Sequence, residues 1–170
     1  GSASMDANTT GRNNVAYGMN SLGGNTTAEE NCAIGTNSLF TNTTGTANTG
    51  LGTYSLQNNS TASNNTGLGY KALFANTTGA DNVAVGSFAL DASTTGYGVV
   101  AIGHEALTSD TKGDYSVAIG YDALKTQNFT TATNAYNTAL GAYAGAAITT
   151  GVQNTLIGGL AGEALTDSDF

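Results

Sequence analysis

Glycine recurs at Gly18, Gly35, Gly52, Gly69, Gly86, Gly103 and Gly120, each 17 residues after the one before. The next steps are 21 residues, to Gly141, and 17 again, to Gly158. Nine units follow from this register, beginning at Asn14, Asn31, Asn48, Asn65, Asn82, Val99, Ser116, Asn137 and Asn154, and the last ends at Phe170. Their consensus is Asn-(Val/Thr)-Ala-(Ile/Leu/Val)-Gly-x-x-(Ala/Ser)-Leu, then about eight polar residues with a Thr-Thr-Gly. A fixed period of this kind marks an array of stacked units rather than a conventional globular core.

Seventeen residues are too few for a helical-pair repeat, which takes more than about 30. Glycine, asparagine, threonine and β-branched residues are also weak helix formers. The chain has 24 Gly, 19 Asn, 28 Thr and no Pro. One coil of an all-β solenoid fits the unit. Positions two and four are bulky, as in Val15/Tyr17, Cys32/Ile34, Val83/Val85, Val100/Ile102 and Val117/Ile119, whereas positions one, three and five are Asn, Ala or Gly, and Gly. This period of two is that of a strand with one bulky face and one bare face. The recurrent leucines (Leu22, Leu39, Leu56, Leu73, Leu90, Leu107 and Leu124) are expected to point inward against position four. Gly45, Gly79, Gly96 and Gly151 are expected to turn the chain at positive φ.

Nine coils at a strand spacing of about 4.8 Å give a rod of roughly 43 Å. Stacking superposes Asn14, Asn31, Asn48, Asn65, Asn82, Asn137 and Asn154 as an amide ladder, interrupted at Val99 and Ser116. Residues 1–13 read as an expression scar (Gly1-Ser2-Ala3-Ser4) and a lead-in, and 14–170 as one repeat domain with an insertion near 125–136. So thin a core invites a partner. The bare face suits close approach of identical chains around an axis, with three chains expected. The alternative is a narrow solenoid whose bare face meets its own opposite wall.

Four Lys plus Arg against 12 Asp plus Glu give a formal charge of −8. That balance argues against nucleic acid and anionic membrane surfaces as partners. No apolar run approaches the roughly 20 residues of a membrane span, and no secretory signal is present. A single cysteine, Cys32, excludes an intrachain disulfide and a multi-cysteine metal site. Cys32 fills a Val/Thr slot and is expected in the core. His104 beside Glu105 is the only acid–base pair available, but no nucleophile stands in fixed relation to it, so surface decoration is expected. No catalytic residue and no cofactor are assigned. Asp91, Asp110, Asp114 and Asp122 lie near the outer turns and could bind calcium if coil stacking aligned some of them, though their spacing lacks a calcium-loop pattern. Asp167 and Asp169 read as solvated chain end. The sequons at Asn25, Asn42 and Asn76 are compositional. The glycine after position four is followed by varied residues. Among these Tyr54, Tyr70, Phe88, Tyr121 and Tyr143 are candidate recognition residues, either facing outward to a glycan or receptor or packing on neighbouring coils. The insertion is a second candidate binding face.

Asn82-Val83-Ala84-Val85-Gly86-Ser87-Phe88-Ala89-Leu90 and Ser116-Val117-Ala118-Ile119-Gly120-Tyr121-Asp122-Ala123-Leu124 resemble the head repeats of trimeric autotransporter adhesins, the YadA-like head. The longer Thr-Thr-Gly-x-x-Asn-Thr-Ala-x-Gly form is similar to repeats of phage tail fibres and surface proteins of aquatic bacteria. The resemblance spans residues 14–170. It implies a left-handed parallel β-roll, assembled as a parallel homotrimer, with a non-enzymatic role in display or adhesion. It also implies an extracellular place, on a virion tail fibre or a bacterial surface, and a host glycan or protein receptor as partner. The period of 17 exceeds the adhesin head's coil of about 14, and the Ser that usually follows position one is missing. Without a polar cap at its last unit, the chain is expected to be a segment of a longer fibre. A second reading is an ice-binding solenoid with stacked threonine pairs at Thr26/Thr27, Thr43/Thr44, Thr77/Thr78, Thr94/Thr95 and Thr149/Thr150. Adjacent residues on a strand face opposite ways, which counts against it.

Overall fold

A computed structural model describes residues 1–167. Asp169 and Phe170 lie outside the described residues. The strands are β1 (Val15–Tyr17), β2 (Cys32–Ile34), β3 (Thr49–Leu51), β4 (Thr66–Leu68), β5 (Val83–Val85), β6 (Val100–Ile102), β7 (Gly113–Asp114), β8 (Val117–Ile119), β9 (Thr133–Asn134), β10 (Thr138–Leu140) and β11 (Thr155–Ile157). Nine of them form one parallel sheet in the order β1-β2-β3-β4-β5-β6-β8-β10-β11, and β7 pairs with β9 in a small second sheet. The chain is therefore an all-β parallel solenoid of about eight turns. Each strand pairs with the equivalent residues of the next coil, Val83 with Val100 and Val85 with Ile102, for example. No helix among the described residues is long and apolar enough to cross a membrane.

The strand faces are opposite to the first expectation and match the alternative, in which the bare face meets its own opposite wall. Position three is the inward one: Ala33, Ala84, Ala101, Ala118 and Ala139 are fully buried. Positions two and four point out, leaving Leu51 and Leu68 each 40% and Leu140 45% exposed on the isolated chain. Small residues face inward because the opposite wall is close. A Cβ built at Gly50 would lie 2.5 Å from Ser38 Oγ and 3.4 Å from Leu39 Cγ. The recurrent leucines Leu22, Leu39, Leu56, Leu73, Leu90, Leu107 and Leu124 do fill the core. They pack over the small residues of position three rather than against position four.

The glycines of Thr-Thr-Gly also depart from expectation. Gly45, Gly79, Gly96 and Gly151 are absent from the positive-φ positions. At Gly45, Gly79 and Gly96 the requirement is room: an added Cβ would strike the backbone carbonyl of Ala62, Gly96 or Gly113 in the next coil. Left-handed backbone falls elsewhere. Each strand of the nine-stranded sheet is followed by a glycine at φ 124 to 143, and the seven recurrent leucines themselves sit at φ 49 to 54. Left-handed leucine costs about 1–2 kcal/mol. The side chain it turns into the core offsets that cost.

Residues 1–13 wind in register with the rest. Ser4 Oγ lies 3.0 Å from Ser21 Oγ, and the Met5 amide donates to the Ser21 carbonyl. Met5 takes a left-handed conformation at φ 53 and packs against the core where later coils place leucine. Gly1-Ser2-Ala3-Ser4-Met5 thus occupies the positions of Gly18-Met19-Asn20-Ser21-Leu22.

Candidate functional site

Two asparagine columns hold the coils in step. In the first, Asn31 Oδ1 accepts from the Asn48 amide at 3.0 Å while Asn31 Nδ2 donates to the Gly45 carbonyl at 2.9 Å. Asn14, Asn48, Asn65 and Asn82 repeat the pattern, donating to Ala28, Ala62, Gly79 and Gly96. The column stops at Val99, whose amide donates to Asn82 Oδ1. It resumes at Asn137, which accepts from the Asn154 amide. Gln127 fills the gap at Ser116: its Nε2 donates to Ser116 Oγ, and its Oε1 accepts from Asn137 Nδ2 at 2.8 Å.

The second column was not read from the sequence. Asn25, Asn42, Asn59 and Asn76 are fully buried. Asn59 Nδ2 donates to Asn42 Oδ1 and to the Ala62 carbonyl, and Asn76 Nδ2 donates to Asn59 Oδ1. Three of its members are the sequons noted above, so their amides are inaccessible in the folded chain. The spacing of 17 carried the signal. Further along, the same column becomes Ser93, Asp110 and Gln127, all buried. Asp110 Oδ1 accepts from the Gly113 and Phe129 amides, and its Oδ2 from Gln127 Nε2 at 2.6 Å. Burial, the dominant influence, raises the Asp110 carboxyl above its ordinary range against these hydrogen bonds.

Asp110 thus lies in the interior rather than at an outer turn, and the four aspartates considered together from sequence are dispersed. Asp114 accepts from the Tyr97 amide at 2.7 Å, and Asp91 from Thr108 Oγ1 at 2.6 Å. Asp122 faces Lys125. Exposed Asp167 accepts from the Thr149 and Thr150 hydroxyls, and hydrogen bonding lowers its carboxyl. The insertion folds back on the preceding coil through β7 and β9, with Phe129 buried and Thr111 Oγ1 donating to its carbonyl.

The outer surface carries three features. The first is an outward stripe along the nine-stranded sheet, in which position four is apolar throughout, from Tyr17 to Ile157, while position two is Val or Cys in five coils and Thr49, Thr66, Thr138 and Thr155 in the other four. Cys32 belongs to it and is partly exposed, contrary to its expected place in the core. The second is an aromatic rank along the turn after the strand glycines. Tyr54, Tyr70, Phe88, His104, Tyr121 and Tyr143 follow one another at centroid distances of 6.0, 5.3, 6.3, 5.1 and 5.4 Å. The rings pack on neighbouring coils and still face solvent: Tyr70, Tyr121 and Tyr143 are exposed, Tyr54 and Phe88 half-buried. A shorter rank joins Tyr97, Tyr115 and Tyr136. The third is a shallow hollow of about 300 Å³ lined by Tyr54, Gln57, Tyr70, Lys71 and Phe74. The Lys71 ammonium stands 5.2 Å from the Phe74 ring centroid and 5.6 Å from that of Tyr70.

The threonine pairs are divided in role. The hydroxyls of Thr26, Thr43, Thr77 and Thr94 donate to backbone carbonyls of the next coil. Their neighbours Thr27, Thr44, Thr78 and Thr95 are exposed.

These features define a parallel β-solenoid repeat protein. No protein-family model matches the chain, and no curated protein or solved structure shows significant similarity to it.

Proposed function

We propose that the chain is a non-enzymatic structural and adhesive segment of a homotrimeric fibre, displayed outside the cell on a phage tail fibre or a bacterial surface. One observation carries this reading. The solenoid closes its own core mainly with Leu and Ala, yet places a Tyr, Ile, Leu or Val outward at position four of every strand of the nine-stranded sheet. A continuous apolar face of this kind is a feature of interaction surfaces. The proposed interface is therefore the bulky face of positions two and four. The bare face that first suggested association is occupied within each chain. Three parallel copies around an axis agree with the resemblance to adhesin head repeats.

The aromatic rank and the hollow beside Lys71 are the receptor-facing surface in this reading. Tyrosine rings offer flat apolar faces to sugar rings, and the Gln57 amide and Lys71 ammonium supply polar contacts beside them. The test is solution mass by light scattering after size exclusion, with Leu68→Asp as the companion variant. A mass near three times 16.9 kDa that Leu68→Asp reduces to one copy supports the fibre. A stable monomer of the unaltered chain refutes it.

The exposed rank of Thr27, Thr44, Thr78 and Thr95 favours a second reading, ice binding. Its weakness is that the partner threonine of each pair has its hydroxyl engaged by the next coil. Thermal hysteresis with shaped ice crystals would select this reading over the fibre.

A further inference from the structure

His104 and Glu105 follow the strand glycine Gly103, and Asp122 and Lys125 occupy the next coil. His104 Nε2 lies 3.9 Å from Glu105 Oε1. The Lys125 ammonium lies 2.6 Å from Glu105 Oε2 and 2.9 Å from Asp122 Oδ2. One donor atom from each of His104, Glu105 and Asp122 comes within 4.8 Å of the other two. Asp122 is only 6% exposed, and its Oδ1 has no hydrogen-bond partner. His104 Nδ1 is likewise buried without one. The imidazole is held between the Phe88 ring, 6.3 Å away and edge-on, and the Tyr121 ring, 5.1 Å away and nearly parallel.

We propose that His104, Glu105 and Asp122 form a binding site for a divalent transition-metal ion of the zinc class, with the Lys125 ammonium as a tethered cation that the metal displaces. Two carboxylates face one ammonium, so a divalent ion balances the charge that lysine balances only in part. Imidazole with carboxylates suits Zn²⁺ or Ni²⁺, whereas Ca²⁺ requires six to eight oxygens and gains little from a histidine. Lys125 is on a flexible stem and is 38% exposed, so its head group reaches water without disturbing the coil. The orphaned Asp122 oxygen gains a partner in the metal-bound form.

Because His104 is the only histidine, its imidazole proton resonances report the site directly. Zn²⁺ titrated into the folded protein is expected to shift or broaden them with one equivalent bound by calorimetry, and Ca²⁺ to leave them in place. His104→Ala should weaken Zn²⁺ binding by about tenfold or more. Lys125→Met should strengthen it several-fold by removing the competitor, an effect that a purely structural ion pair would not produce. Circular dichroism melting of both variants, and Asp122→Asn as a third, separates lost binding from lost folding. Unmoved imidazole resonances, unchanged affinity in folded His104→Ala, or weaker binding by folded Lys125→Met would each overturn the site.

Discussion

Gly86 lies so close over Gly103 that a Cβ on the first would stand 2.6 Å from the carbonyl carbon of the second. Gly86 also holds φ 132, a region that side chains rarely enter. Substitution therefore carries two penalties, backbone strain of about 1–3 kcal/mol and a forced separation of adjacent coils. Gly86→Val is expected to lower the melting temperature sharply and to broaden the transition. The close neighbour is the chain's own next coil, so a monomeric preparation should suffer as much as an assembled one. Calorimetry at dilutions spanning the assembly range checks this.

Leu90 is buried at φ 52. A branch at Cβ is poorly tolerated in left-handed backbone, whereas an unbranched chain is accommodated. Leu90→Met should cost less than about 1.5 kcal/mol, as volume-conserving swaps usually do. Leu90→Ile should cost distinctly more, despite equal volume. Chemical denaturation of both variants measures the difference, and equal losses would contradict the conformational argument.

Asp110 gives the fold a pH dependence. Burial holds its folded carboxyl above the ordinary aspartate range, so the folded chain keeps the proton to higher pH than the unfolded chain does. Its contribution is complete below the ordinary aspartate value and declines as pH rises through the folded value. Asp110→Asn carries no such proton. The stability difference between the two proteins should change across the acid range and level off above it. Urea unfolding from about pH 3 to about pH 8 reads this difference. A slope of equal size in both proteins would remove Asp110 as its source.

Cys32 is a built-in probe of the proposed interface. It sits on the outward stripe between Val15 and Thr49 in register. In a trimer packed through that stripe, maleimide labelling of the native protein should be slowed by at least about tenfold relative to a Leu68→Asp monomer. Equal labelling rates would place the interface elsewhere or remove it.

The period of 17 made the coil, the strand positions and the first asparagine column legible, because stacking identical positions superposes them whatever the coil's cross-section. It did not reveal which strand face points inward. Alternation distinguishes two faces but carries no sign, and the usual preference for large residues inside fails where the opposite wall is too near. Ala84 goes in and Val85 goes out for that reason. Gln127 closing the gap at Ser116 was illegible too: the count of 17 puts Gln127 in the second column, and only its longer side chain reaches across to Ser116 and Asn137 in the first. Lys125 reaching back to Glu105 joins side chains of two coils, a pairing that a repeat consensus averages away.

The hydrogen bonds between coils run along the stack, each joining a residue to one about 17 positions on. A force drawing the two ends of the stack apart therefore loads the terminal coil's bonds first and releases one winding at a time. A sideways force loads many windings together. The rod yields gradually to stretching and resists bending, so under tension it lengthens in roughly equal steps, one for each coil peeled away.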